Sequence, residues 1–112
     1  MARNTDNLRR HRRQTVRILV DYQSDTGVQC DYATTLGAGG LFIECESPLP
    51  PKVVLKLRFR LPHSDELHEL EGRVKWIRDG LAGDRSVPPG MGVQFTHVAA
   101  TAPLARELDH LD

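Results

Sequence analysis

The chain is short of several things, and each shortage removes a class of protein. No stretch approaches the ~18 consecutive apolar residues of a membrane-spanning helix, so membrane insertion is not expected. The N-terminus carries charge but no apolar segment follows it, which does not fit a secretion signal. Cysteine occurs only as Cys30 and Cys45, both among strand-forming residues. Nothing else suggests an oxidising compartment, so both are expected as reduced thiols in a cytoplasmic protein. The motifs of catalysis are missing as well. No serine sits in a G-x-S-x-G elbow, and neither cysteine has an obvious base beside it. His63 and His68, with Asp65, Glu66 and Glu69 around them, lack the HExxH spacing of a zinc helix, so a metal is not expected there. The glycines at 37–40 are followed by a strand-like run rather than a helix, which excludes a Rossmann fingerprint. The expectation is a protein that is not an enzyme and needs no cofactor. There is no internal repeat and no low-complexity segment.

What is present is ordinary in amount and unusual in placement. The 112 residues, 39% hydrophobic and 27% charged, suit one globular domain with a modest core. The 15 basic and 15 acidic side chains cancel, but they are not mixed. Up to Arg17 there are six arginines and one acid; beyond it nine basic residues face fourteen acidic ones. Four of those arginines form the run Arg9-Arg10-His11-Arg12-Arg13. The planar fork of arginine suits bidentate phosphate and guanine contacts better than the point charge of lysine. Taken by itself the run is also what a solvated basic tail looks like, and both readings stay open on composition. Sequence-independent nucleic acid binding is a weaker alternative, because the body is acidic and lacks an interleaved aromatic and basic face.

After the arm, short alternating runs are bounded by turn residues at roughly 8–12-residue spacing, the signature of a β-sandwich or barrel. The runs are Thr15–Tyr22, Val28–Thr35, Leu41–Cys45, Val53–Leu61, Leu67–Ile77 and Met91–Phe95. The clearest places Leu55, Leu57, Phe59 and Leu61 on one face and Lys56, Arg58 and Arg60 on the other, a solvated outer face. Leu70, Gly72, Val74 and Trp76 are expected on one inward side, with Trp76 in the core rather than as a stacking platform. Tyr22 and Tyr32 are expected with their hydroxyls near the surface. Gly37-Ala38-Gly39-Gly40 is read as a tight loop that exploits φ > 0. The segment Arg78–Gly90 reads as a flexible polar link. Thr101 is the expected N-cap of a short terminal helix whose Leu104, Leu108 and Leu111 form an apolar stripe. Six strands in so short a chain favour a closed six-stranded antiparallel β-barrel with a short C-terminal α-helix, since closure removes exposed edges. The expected organisation is a flexible Arg-rich arm over residues 1–13 and the barrel domain over residues 14–112.

The arginine run followed by Val16-x-Ile18-x-Val20-x-Tyr22 resembles the RxxxR opening of PilZ domains. Thr35-Leu36-Gly37-Ala38-Gly39-Gly40 resembles their second motif, [D/N]-x-S-x-x-G. Gly72-Arg73-Val74-Lys75-Trp76 and Gly90-Met91-Gly92-Val93-Gln94-Phe95 resemble the family's G-x-V-x-W and G-x-G-V-x-F strands. The resemblance implies a PilZ-like six-stranded barrel with a terminal helix. It also implies a bacterial receptor for the second messenger cyclic di-GMP that passes the signal to an as yet unidentified protein partner, with the nucleotide as ligand and no cofactor. Carried onto matching positions, it implies that Arg9 and Arg13 clamp phosphate and guanine, that Arg10 adds charge, and that Thr35, Gly37, Gly39 and Gly40 form the facing loop. At Gly40 a base would pack against bare backbone.

Two positions depart from the motif. Thr35 stands where Asp or Asn is usual and removes a carboxylate or amide acceptor, although a hydroxyl remains. Gly37 stands where Ser is usual and removes a hydroxyl. At roughly 1.5–3 kcal/mol per hydrogen bond to a charged group, both losses together correspond to a ~10²–10⁴-fold weaker complex. The alternative is therefore a PilZ-like adaptor that has lost the nucleotide and works by protein contact.

Overall fold

The computed structural model describes residues 13–79 and 88–109, with side chains from Val16 onward. Six strands follow one another: β1 (Arg13–Ser24), β2 (Gly27–Gly37), β3 (Gly40–Glu44), β4 (Val54–Phe59), β5 (His68–Arg78) and β6 (Gly90–Phe95). A 3₁₀ turn, Val98–Thr101, leads into helix α1 (Ala102–Asp109). The strands close into a barrel in the order β1-β2-β3-β6-β5-β4, every neighbouring pair antiparallel. Closure gives every strand a neighbour on both sides, which limits the exposed edge that an open sheet would offer.

The alternation read from β4 carries through: Leu55, Leu57, Phe59 and Leu61 are buried while Lys56, Arg58 and Arg60 are exposed. They meet Val20, Tyr22, Leu36, Ile43, Val74 and Met91 in one interior cluster. From outside the barrel, α1 adds Leu104 and Leu108 to that cluster. Truncating such side chains to alanine costs about 2–5 kcal/mol each. A buried polar anchor holds the helix at the β4–β5 end. Glu107 accepts from Ser64 and faces His68 Nε2 at 2.6 Å, and His68 is 4% exposed. This role of His68 was not legible in the sequence, since its partner lies 39 residues away.

Several expectations are corrected. Trp76 is not in the core; it is 44% exposed on the outer surface. The cause is a bulge in β5: Val74 pairs with Val93 and Trp76 with Gly92, so Lys75 is an extra residue and the alternation slips by one. Tyr22, by contrast, is fully buried, its hydroxyl donating to Asp31 Oδ2 at 2.6 Å and lying 2.9 Å from Gln29 Oε1. Thr101 does not open the helix as a cap. Its hydroxyl donates backwards to the Val98 carbonyl at 2.7 Å, and the 3₁₀ turn runs directly into α1. The link expected over Arg78–Gly90 is shorter, because Arg78 and Gly90 still pair across β5 and β6. Leu111 lies outside the described residues.

Candidate functional site

The β2–β3 turn is the two-residue link Ala38-Gly39, flanked by the paired Gly37 and Gly40. Positive φ is not what these glycines supply; among the described glycines only Gly27, in the β1–β2 turn, has it, at 128°. The reason is space. A Cβ on Gly40 would lie 2.2 Å from the Val93 carbonyl oxygen of β6, whereas one on Gly39 would meet nothing within 4 Å. Gly40 thus lets β3 approach β6 closely, while Gly39 leaves the turn's outer side open. Thr35 sits half-buried at a bulge in β2, paired with Thr15 on one side and Phe42 on the other.

The N-terminal run meets this turn through β1. Arg13, expected as the last residue of the arm, opens the strand and pairs with Gly37. The backbone of Arg13 is therefore beside the turn that the second motif forms. Arg9 and Arg10 lie outside the described residues.

Next to the turn is a feature that the sequence reading missed. A cavity of about 390 Å³ opens on the barrel wall, with Gly37, Gly39, Gly40, Lys75, Trp76 and Gly92 among its lining residues. Its aromatic wall is a stack on the outside of the barrel. Phe42 faces outward between the inward Leu41 and Ile43, and its ring lies 5.3 Å from that of Trp76 at 23°. The Arg78 guanidinium sits 4.5 Å over Phe42 and 5.7 Å from Trp76, and donates to the Pro88 carbonyl at 3.3 Å. Glycines of β6 make the seat. A Cβ on Gly92 would be 2.3 Å from the Trp76 indole, and one on Gly90 would be 2.4 Å from the Phe42 ring. Glycines two apart share one face of a strand. That spacing beside the G-x-V-x-W run was the available signal for a ring lying flat on β6.

The arrangement combines a half-exposed indole, an open glycine turn and the cations Lys75 and Arg78. It can take a planar group by stacking and an anionic group by charge. The thiols stand apart from it. Cys30 is exposed and Cys45 buried, and neither is in a disulfide. Burial pushes the Cys45 thiol up to about 11, helped by the charge of Asp31 and opposed by a hydrogen bond with Tyr22. The Cys30 thiol is raised by partial burial and by its acidic neighbours Asp21 and Asp31. At Glu107 burial acts to raise the carboxyl, but the hydrogen bonds with Ser64 and His68 and the charge of His68 outweigh it and hold the group low.

Comparison with known proteins returned a family and a fold. The family model described as PilZ domain matches residues 7–111. Among solved structures, the Bacillus subtilis inhibitor of motility MotI/DgrA superposes with a TM-score of 0.67 at 18% identity, over 91% of this chain and 52% of that one. The chain thus spans about half the length of that protein. The PilZ domain of CeSA from a cellulose-synthesizing bacterium superposes with a TM-score of 0.62 at 18% identity, over 88% of this chain and 99% of that one. No curated protein sequence gave a match.

Proposed function

The chain belongs to the PilZ domain family, and we propose that it is a cytoplasmic cyclic di-GMP receptor that passes the signal to a protein partner. In this reading Arg9 and Arg13 grip phosphate and guanine, Arg10 adds charge, and the Thr35–Gly40 segment faces the ligand. Residues 1–13 act as the clamp and 14–112 as the platform. Binding draws the arm against the barrel, and the altered surface is what the partner reads. The process involves no bond-making step in the protein, and nucleic acid is not the intended ligand.

The observation that carries the proposal is the pairing of Arg13 with Gly37 at a cavity walled by Trp76. Arginine and the open glycine turn, 24 residues apart in sequence, meet where a stacking surface already exists. A base laid on Trp76 gains about 1–3 kcal/mol, comparable with one of the hydrogen bonds that Thr35 and Gly37 forgo. Trp76 is the only tryptophan, so its emission should report occupancy directly. Titration with cyclic di-GMP is expected to give a saturable change in that emission, absent with GTP at equal concentration. An unchanged spectrum from folded protein would reject the reading.

The substitutions at Thr35 and Gly37 favour a second reading, an adaptor that engages its partner without the nucleotide. It predicts that Thr35→Asp combined with Gly37→Ser creates nucleotide binding where the native chain shows none, and that partner binding ignores the nucleotide.

A further inference from the structure

A second groove, of about 520 Å³, lies on the outer face of β1, β2 and β4, on strands other than those that hold Trp76 and Gly92. Arg17, Leu19, Tyr32, Arg60, Pro62 and Leu67 are among its lining residues. Leu19 is 53% exposed and is the cross-strand partner of Tyr32, which is 39% exposed. The guanidinium of Arg17 lies 4.1 Å over the Tyr32 ring. Arg60 follows the inward Phe59, and its Nε donates to the Asp65 carbonyl at 3.4 Å.

Charge balance singles out this end of the face. One row along, Arg58 is paired with Glu69 at 3.4 Å and stands opposite Asp21. Among the described residues, neither Arg17 nor Arg60 has a carboxylate partner. Two uncompensated cations therefore flank exposed leucine and tyrosine, on a body where acids outnumber bases fourteen to nine beyond Arg17. Such a combination of apolar centre and charged rim is the composition of a protein interface.

We propose that this groove docks an acidic segment of a partner protein, with a leucine or phenylalanine seated on Leu19 and Tyr32 and flanking carboxylates on Arg17 and Arg60. Asp21, at the far end of the groove, sets the direction: the acidic end of the segment lies at the Arg17–Arg60 side. A nucleic acid strand fits worse. Asp21 would repel a phosphate chain running through. The proposal does not depend on nucleotide binding, because none of its residues lines the Trp76 cavity.

The test uses the full chain and a fluorescein-labelled peptide with a Leu-Phe pair and a run of glutamates on one side of it. Anisotropy is expected to show saturable binding that weakens with added salt. Amide shifts are expected to centre on Leu19, Tyr32 and Arg60. Arg17→Glu with Arg60→Glu is expected to lower affinity by at least ~10-fold, and Leu19→Asp by a similar factor. Both variants are expected to keep the native circular dichroism and the Trp76 response to cyclic di-GMP. A control peptide with lysine for glutamate should not bind. The proposal is overturned if the acidic peptide fails to bind folded protein. It is equally overturned if shifts fall on residues 9–13 instead, or if the variants bind as the native chain does. Competition at the groove by a single-stranded oligonucleotide, or self-association through Leu19 in place of peptide binding, would also overturn it. Loss of the nucleotide response with peptide binding intact would reject the receptor reading alone.

Discussion

Three glycines around the cavity should respond to the same methyl group in three different ways. In Gly40→Ala the new Cβ meets the Val93 carbonyl oxygen at 2.2 Å, the Gln94 Cα at 3.2 Å and the Val93 carbonyl carbon at 3.2 Å. All three atoms are backbone of β6, and Gly40 is itself paired with Gln94, so relief requires β3 and β6 to part. Overpacking of this kind costs about 1–3 kcal/mol even against side chains, and a backbone obstacle puts Gly40→Ala at or above the upper end, ~3 kcal/mol. In Gly92→Ala the obstacle is the Trp76 indole at 2.3 Å, short of an ordinary carbon contact by more than ~1 Å. That ring is 44% exposed and can retreat toward solvent. The cost is then mainly the stacking with Phe42, about 0.5–1.5 kcal/mol. In Gly39→Ala nothing is met and φ is not left-handed, so the change should lie within ~0.5 kcal/mol of the native chain. Urea unfolding followed by far-ultraviolet circular dichroism gives the three values. Tryptophan emission of the folded protein should be native in Gly39→Ala and shifted in Gly92→Ala. Equal costs at Gly39 and Gly40, or a Gly40→Ala protein as stable as native, would refute the close-approach account of this turn.

Other expectations follow from the same geometry. Trp76→Ala should leave the barrel folded and weaken cyclic di-GMP binding by ~5–150-fold, read by calorimetry, since it removes about 1–3 kcal/mol of stacking. Glu107 is held below its ordinary value of 4.5, so its ionised form stabilises the fold above that pH, and this contribution is lost as pH falls through the lowered value. Denaturant midpoints measured downward from about pH 5.5 should therefore drop more steeply for native protein than for Glu107→Gln. With its thiol near 11 and buried, Cys45 should react with a disulfide reagent only on unfolding. Cys30 should react in the folded state, slowly, and Asp21→Asn should speed it by relieving the neighbouring charge.

The parts of the fold legible in the sequence were those with an unbroken period. The Leu55-Leu57-Phe59-Leu61 alternation is the interior of the barrel, and six such runs close as strand count and short links suggested. Legibility failed where a residue was inserted into the ladder. The bulge at Lys75 turns Trp76 out to the surface, and a second bulge interrupts β2 between Ala33 and Thr35. The insertion in β5 changes neither composition nor spacing, so a strict two-residue period misplaces Trp76 beyond it. Distance in sequence concealed the rest. Glu107 reaches His68 across the end of the barrel, and Phe42 finds Trp76 and Arg78 across β6. At the glycine turn the residue type was read correctly and its reason was not: close strand approach at Gly40, not a left-handed turn, requires the missing side chain.

The receptor reading is tested most directly by calorimetric titration of the full chain with cyclic di-GMP, beside Arg9→Ala and Arg13→Ala. The account predicts saturable heat for the native protein and its loss or strong reduction in both variants, with unchanged circular dichroism. Absence of heat from folded native protein at high concentration would contradict it, as would heat that neither arginine substitution affects.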